Sequence, residues 1–216
     1  SSEVVNQIAR CYRENGCDSL VAVGGGSVLD TAKGVRMLLS QKAEDIMELL
    51  GCEILTRGSH IPFAAVPTTS GTGSESTLVA VIRNAENGMK MEFISYYLQP
   101  DVTVLDSRMT MTLPSRITAS TGMDTLCHAI EAYTCLQKNP VSDAYASAAV
   151  HMVGMYLEQA VKNGTDEEAR LGMANASTMA GAAFSNSMVG MVHAIGHALG
   201  GICHVPHADA MTVLLP

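Results

Sequence analysis

The sequence lacks several features that mark whole classes of protein. It contains no Trp, and aromatic residues make up only 4% of its 216 residues, so its helices are expected to pack closely through Ala, Gly and Met. Charged residues reach only 16% against 47% apolar residues, a balance that excludes a disordered chain. No apolar run is long enough to span a membrane, and the first residues do not form a signal peptide. We therefore expect a folded protein of one large or two small domains.

Positive charge is also scarce. The 13 Lys and Arg residues face 21 Asp and Glu residues, which gives a net charge of −8 at pH 7. This balance argues against nucleic acid or an anionic membrane as the main partner, and an anionic ligand would have to be held by backbone amides. The six cysteines include no CxxC pair. They indicate reduced thiols and a cytoplasmic protein.

Two apolar runs of buried-strand type each lead into a polar loop. Residues 19–23 run into Gly24, Gly25, Gly26 and Ser27, and a helix is predicted from Val28 onward, with Ser27 and Asp30 spaced as a capping box. A glycine loop between a strand and a helix N-terminus can hold phosphate, although glycine turns after strands are common and this one is neither GxGxxG nor a Walker loop. Residues 61–66 form the second run, and PTTSGTGSE follows at residues 67–75. That segment is either an ordinary loop or a ligand site at a strand's carboxyl end.

The chain changes character near Leu113 and Pro114. Before that point we predict a first helix that ends at Asn15-Gly16, a helix with a connecting turn over residues 33–50, and further strands at residues 77–81, 91–95 and 102–105. After it, residues 115–199 are predicted to form successive Ala- and Met-rich helices. The expected fold class is therefore an α/β segment followed by an all-α segment, with domains at residues 1–113 and 114–216.

Four of the seven histidines lie within residues 191–207, MVHAIGHALGGICHVPH, among apolar and small residues only. His193 and His197 are four positions apart and share one face of a helix that Gly200-Gly201 is expected to end, and His207 follows a proline-bearing turn. This pattern favours a metal or catalytic centre. The alternative is a buried helix whose histidines bond to backbone carbonyls.

A second candidate cluster begins the helical segment. Asp124 and His128 are also four positions apart on one helical face. That spacing fits an ion pair, a helix-start cap with a chance histidine, or two ligands of one metal. Joined with His193 and His207, it gives a mixed oxygen and nitrogen set suited to Fe(II) or Zn(II) rather than Mg or Ca.

Four motifs together resemble the iron-containing, group III alcohol dehydrogenases. They are GGGSVLDTAK (residues 24–33), PTTSGTGSE (67–75), GMDTLCHAIEAY (122–133) and HAIGHALGGICHVPH (193–207), in family order and across essentially the whole chain. The resemblance implies the dehydroquinate synthase-like plan of a nucleotide-binding α/β domain and a helical domain, with the active site in the cleft between them. It also implies Fe(II), with Zn(II) possible, NAD or NADP, a small alcohol or aldehyde substrate, and a homo-oligomer.

The resemblance assigns roles to individual residues. The implied metal ligands are Asp124, His128, His193 and His207, and His197 corresponds to a pocket histidine that is not a ligand. The implied cofactor-binding residues are Gly25, Gly26, Ser27, Asp30, Thr68, Thr69, Thr72, Thr77, Val81 and Lys90. His204 has no role in the family pattern and is expected to be structural.

The chain also departs from the family pattern. Ala208 replaces a glycine that usually follows the last ligand histidine, and Asp209 stands at a normally apolar position, which is expected to shift the local backbone. The first βαβ portion and the later part of the helical domain are not matched, so we expect a fragment. Two alternatives stay open: a relative of dehydroquinate synthase or glycerol dehydrogenase on the same plan, and a catalytically inert structural module.

Overall fold

The computed structural model describes residues 1–50, 58–203 and 205–216. Within these ranges an α/β segment is followed by a helical one, which confirms the predicted fold class. The helices are α1 (Ser2–Glu14), α2 (Gly26–Gln41), α3 (Ser115–Thr134), α4 (Pro140–Lys162), α5 (Glu167–Ser187), α6 (Met191–Cys203) and α7 (His207–Leu214). The strands are β1 (Leu20–Gly24), β2 (Phe63–Pro67), β3 (Val79–Arg83), β4 (Lys90–Ile94) and β5 (Val102–Thr103). Short 3-10 turns occupy Ile46–Leu49, Ser74–Ser76, Tyr96–Leu98 and Ser107–Met109.

A parallel three-stranded sheet brings the two polar loops together. Its order is β1-β2-β5, and β1 pairs with β2 from Leu20 opposite Phe63 to Gly24 opposite Pro67. Both strands therefore end at the same edge of the sheet. The glycine loop (residues 24–27) and the threonine-rich loop (residues 67–75) leave from that edge, where open α/β sheets bind ligands.

Strands β3 and β4 form a separate antiparallel hairpin, with Val79 opposite Ile94 and Arg83 opposite Lys90. Gly88 lies in its connecting turn with φ +74°, a conformation that glycine adopts without strain. Alternate residues of the hairpin, among them Ile82 and Phe93, are buried in a core cluster that also holds residues of α1 and α2. The residues on the opposite face of the hairpin, among them Val81 and Glu92, line a cavity.

Small residues allow the helices of the second segment to pack closely. Ala129, Ala149 and Ala180, from α3, α4 and α5, are fully buried in one cluster. The buried guanidinium of Arg170 on α5 donates to Thr118 Oγ1 at 2.7 Å and to the Leu113 carbonyl at 3.1 Å. These bonds tie the predicted domain boundary to the helical core.

Two local expectations were wrong. Helix α6 continues through Gly200 and Gly201 to Cys203, because neither glycine takes a positive φ and each costs a helix only about 1 kcal/mol. Ser27 and Asp30 form no capping box: Gly25 is the N-cap of α2, and the Asp30 carboxylate bonds elsewhere.

Other expectations hold or lie outside the described ranges. Gly16 has φ +62°, as its predicted role after the first helix requires. His204, expected to be structural, and Cys52, one of the six cysteines expected to be reduced thiols, fall outside the described ranges. In the described part of the chain, no helix combines the length and the apolar character needed to cross a bilayer.

Candidate metal centre and nucleotide pocket

Helix α3 carries two of the predicted metal ligands on its buried face. Asp124 and His128 are one turn apart and are 2% and 6% exposed. The His128 ring stacks on Phe184 of α5, with ring centroids 4.6 Å apart and the planes within 19°. This stacking limits the rotation of the imidazole.

The other two predicted ligands approach Asp124 from α6 and α7. Nε2 of His193 lies 3.7 Å from Asp124 Oδ1, and Nε2 of His207 lies 3.5 Å from the same oxygen. His128 Nδ1 is 3.9 Å from it. His207 is the first residue of α7 and directly follows its N-cap, Pro206. The three predicted histidine ligands thus converge on one oxygen of the fourth predicted ligand, Asp124.

Three of these ligand atoms have no hydrogen-bond partner among the described residues. They are Asp124 Oδ1, His128 Nδ1 and His193 Nε2, all buried. The three residues present ligand atoms that lie within 4.8 Å of one another, while His207 stands outside this compact trio. A buried polar atom left unpaired costs about 1–3 kcal/mol. A divalent metal would satisfy all three atoms at once, so the residues fit the metal that the motifs imply.

Burial and mutual charge set the protonation of the cluster. Burial lowers the pKa of His128 to about 4 and that of His207 to about 4, so both imidazoles are neutral at pH 7 and have free lone pairs. Burial raises the pKa of Asp124, but the neighbouring histidines outweigh it and bring that pKa down to about 2. Burial lowers the pKa of His193, while Asp124 and Glu131 outweigh it and raise that pKa to about 9. A protonated His193 therefore supplies the positive charge that a metal would replace.

His197 occupies a different position from His193 although both lie on α6. Its side chain is 31% exposed and lines the cavity, with Nδ1 3.0 Å from Glu92 Oε1 on β4. Its ring centroid is 5.1 Å from that of His207. His197 is thus beside the compact trio but outside it.

A cavity of about 420 Å³ connects this cluster with the glycine loop. His128, His193, His197 and His207 line one side of it. The predicted cofactor-binding residues that line it are Gly26, Ser27, Asp30, Thr72, Thr77, Val81 and Lys90. The remaining three, Gly25, Thr68 and Thr69, are not among its lining residues.

The threonine-rich loop packs directly on the glycine loop. A Cβ placed on Gly26 would lie 2.7 Å from Thr72 Cγ2, and one on Gly25 would lie 3.3 Å from Thr69 Cγ2. Glycine is therefore required at residue 26 for the two loops to meet. Thr69 supports the glycine loop from outside the cavity.

The Asp30 carboxylate accepts hydrogen bonds from other residues of the protein. Its carboxylate accepts from Ser74 Oγ at 2.7 Å and from the Val81 amide at 3.0 Å. Lys33, three residues later on α2, donates to Thr77 Oγ1 and to the Val79 carbonyl, each at 2.7 Å, and lies 4.0 Å from Asp30. Burial raises the pKa of Asp30 and lowers that of Lys33 to about 8. Asp30 and Lys33 thus hold the cavity wall in place.

Sequence reasoning missed three residues here. Lys33 is wholly buried beneath the cavity, Glu131 on α3 contacts His193, and Glu92 contacts His197. A signal existed for two of them, because Lys33 follows Asp30 by one turn and Glu131 lies on the same helical face as Asp124 and His128. No local pattern singles out Glu92.

The fold and the cluster define an α/β segment and a helical segment that share one histidine-lined cavity. The family description "Iron-containing alcohol dehydrogenase" matches residues 1–107, and "Fe-containing alcohol dehydrogenase family, C-terminal" matches residues 118–216. The chain therefore belongs to the iron-containing alcohol dehydrogenase family.

Individual relatives agree with this assignment. The probable alcohol dehydrogenase EutG of Escherichia coli is 45% identical over 204 residues, which are 94% of this chain and 51% of that protein. The crystal structure of a 1,3-propanediol oxidoreductase matches with a TM-score of 0.95 and 40% identity, over 100% of this chain and 56% of that one. Sulfoacetaldehyde reductase from Bifidobacterium kashiwanohense, in complex with NAD+, matches with a TM-score of 0.90 and 37% identity, over 96% and 55%. The chain spans about half the length of the curated relatives that it matches.

Proposed function

We propose that this chain carries the active site of a metal-dependent oxidoreductase, which transfers hydride between a small alcohol and NAD(P) to form an aldehyde or ketone, or the reverse. The observation that carries the proposal is the trio of buried, unpaired ligand atoms on Asp124, His128 and His193 beside a cavity whose other wall is the glycine loop. The names of the relatives, which include propanediol and sulfoacetaldehyde enzymes, support small alcohols and aldehydes as substrates.

The residues that would hold the metal are Asp124, His128, His193 and His207. Three neutral imidazoles and one carboxylate accept Fe(II), with Zn(II) as the alternative. When bound, the metal supplies Lewis acidity toward the substrate oxygen, and the nicotinamide supplies the hydride acceptor or donor. The stacked His128 and the buried Asp124 give the cluster a rigid base.

The glycine loop would hold the coenzyme diphosphate. Gly25 is the N-cap and Gly26 the first residue of α2, where free backbone amides and the helix dipole favour an anion. Thr72 and Thr77 line the same cavity, Val81 offers an apolar surface, and Lys90 adds a positive charge. The relative in complex with NAD+ supports NAD as the coenzyme, with NADP as the alternative.

His197 would exchange the proton of the reaction at Nε2. Its Nδ1 is engaged by Glu92, whose side chain is 51% exposed, so the pair joins the cavity to solvent. Imidazole is the side chain that enzymes most often use to accept and donate a proton. The metal cluster and the proton carrier are thus adjacent but separate.

We also propose that the whole protein is a cytoplasmic homo-oligomer. The parallel sheet exposes Val21 and Val102 at 71% and 55%, and α6 exposes Met191 and Ile202 at 75% and 81%. Such apolar surface is suited to further protein contacts. Light scattering would test the oligomeric state, since a monomer at all concentrations would contradict the proposed homo-oligomer.

The functional proposal is tested by metal binding and redox activity together. Fe(II), supplied without oxygen, or Zn(II) should raise the free energy of unfolding by about 2.7 kcal/mol at a hundredfold excess over the dissociation constant. Asp124→Asn should remove this gain. Nicotinamide absorbance should change when small primary alcohols or 1,3-propanediol are added to the metal-loaded protein. Stable metal binding without redox activity toward either coenzyme would contradict the proposed reaction.

A further inference from the structure

Glu131 is a buried carboxylate that the proposed reaction does not use. Its side chain is 4% exposed and lies on α3, seven residues after Asp124 and three after His128, so all three project from one helical face. A buried carboxylate is tolerated only where donors surround it. Its backbone donors lie at the start of α6 and on the residue just before it.

One oxygen of Glu131 caps the start of α6. Oε1 accepts from the backbone amides of Gly190, Val192 and His193 at 3.0, 2.8 and 3.3 Å. These amides lie at a helix start, where N–H groups have no partner within the helix. A Cβ at Gly190 would lie 3.0 Å from this oxygen, so the glycine gives the carboxylate room to reach the backbone.

The other oxygen faces the side chain of His193. Oε2 contacts Nδ1 of the imidazole, and an ionised carboxylate can only accept a hydrogen bond. In the neutral, metal-binding form of His193 the proton must therefore be on Nδ1. Nε2 then keeps its lone pair, 3.7 Å from Asp124 Oδ1.

We propose that Glu131 is a positioning residue of the metal centre, which fixes His193 in its Nδ1–H tautomer and anchors the start of α6 with the same carboxylate. This inference rests on the proposed metal site. Partners of this kind commonly set the tautomer and orientation of a ligand histidine, and their loss weakens metal binding roughly 10- to 100-fold. Asp124, His128 and the group that orients His193 thus come from one helix.

Glu131→Gln separates the two roles of the carboxylate. The amide oxygen of Gln still accepts from the three backbone amides, so the cap of α6 is kept. The amide nitrogen can only donate toward Nδ1 of His193, which moves the imidazole proton to Nε2 and blocks its lone pair. If Glu131 only caps the helix, this substitution should leave metal binding unchanged.

The measurement is Zn(II) affinity, by competition with a chromophoric chelator. We expect Glu131→Gln to weaken Zn(II) binding about 10- to 100-fold while the unfolding temperature of the metal-free protein changes little. The matched control is Asp166→Asn, because Asp166 caps α5 by accepting from the Ala169 amide at 2.9 Å, away from the cluster. The control should retain Zn(II) affinity. Wild-type affinity in Glu131→Gln would overturn the inference.

If Glu131→Gln does not fold, a measurement on the unmodified protein tests the same inference. In the Zn(II)-loaded chain, nitrogen chemical shifts should show His193 protonated at Nδ1 and coordinated through Nε2. Coordination through Nδ1, or a proton on Nε2, would overturn the role of Glu131 while leaving the metal site intact. If the wild-type chain binds no Zn(II) or Fe(II), the proposed metal centre is wrong and this inference falls with it.

Discussion

The carboxylate of Glu92 on β4 lies 3.0 Å from Nδ1 of His197 on α6. This contact joins the hairpin of the α/β segment to the histidine helix across the cavity that both residues line. The hydrogen bond to His197 lowers the pKa of Glu92, so the carboxylate is ionised at neutral pH. His197 is therefore oriented by a negative charge from the other segment of the chain.

Replacing Glu92 with Gln should slow turnover without loss of metal. The amide can still bond Nδ1 of His197, but it lacks the charge that favours a proton on the ring. We expect kcat to fall roughly tenfold, which is less than the effect of removing a general acid–base group itself. Metal content should stay unchanged. Glu86→Gln, at an exposed acid in the turn between β3 and β4, is the matched control and should match wild type. An unchanged kcat in Glu92→Gln would exclude this role.

Replacements of the two histidines of α6 should have different effects. His193→Ala removes a buried nitrogen that is proposed to bind the metal, and it should abolish metal content and activity together. His197→Ala should keep the metal and lower turnover by about 10²-fold or more, as expected for loss of a proton carrier. Metal analysis and steady-state kinetics on the same samples measure both quantities. His151→Ala, at an exposed histidine on α4, is the control. Loss of metal in His197→Ala would instead make His197 a ligand.

Much of the fold was predictable because its signals are local. Apolar runs bounded by Gly and Pro gave the strands to within about two residues of their ends, and the Ala-rich stretches gave the helices. The separate pairing of β3 with β4 was not predicted, since alternation shows that a strand exists but not which strand it pairs with. Asp30 illustrates the same limit. Its partners, Ser74 and Val81, lie 44 and 51 residues away.

The candidate site was predictable only in part. The spacing of His193 and His197 pairs them as ligands of one metal, and only the family resemblance separated their roles. In the structure His193 is 3% exposed, while the side chain of His197 is 31% exposed and bonded to Glu92. The spacing on α3 could have singled out Glu131, but its partners could not be predicted because the start of α6, which it caps, lies 59 to 62 residues away.

Lys33 should make stability depend on pH in the alkaline range. Its pKa is about 8 in the folded protein because of burial, against about 10.4 when unfolded. Between these values the unfolded chain binds more protons than the folded one, so the free energy of unfolding rises with pH, by at most about 3 kcal/mol. Denaturant unfolding of wild type and Lys33→Met from pH 7 to 11 measures this. The wild type should gain stability relative to Lys33→Met above pH 8. Parallel curves would contradict the depressed pKa.

Gly181 on α5 lets the threonine-rich loop reach the helical segment. A Cβ there would lie 2.4 Å from Ser76 Oγ and 2.6 Å from the Gly73 carbonyl oxygen. Gly181→Ala should therefore destabilise the protein by about 1–3 kcal/mol, as overpacking does, and weaken coenzyme binding by shifting the loop. Gly154→Ala is the control, because nothing lies within 4 Å of its Cβ on α4 and the change should stabilise the helix by roughly 0.5–1 kcal/mol. Equal unfolding free energies for the two variants would show that the loop yields to the added methyl group.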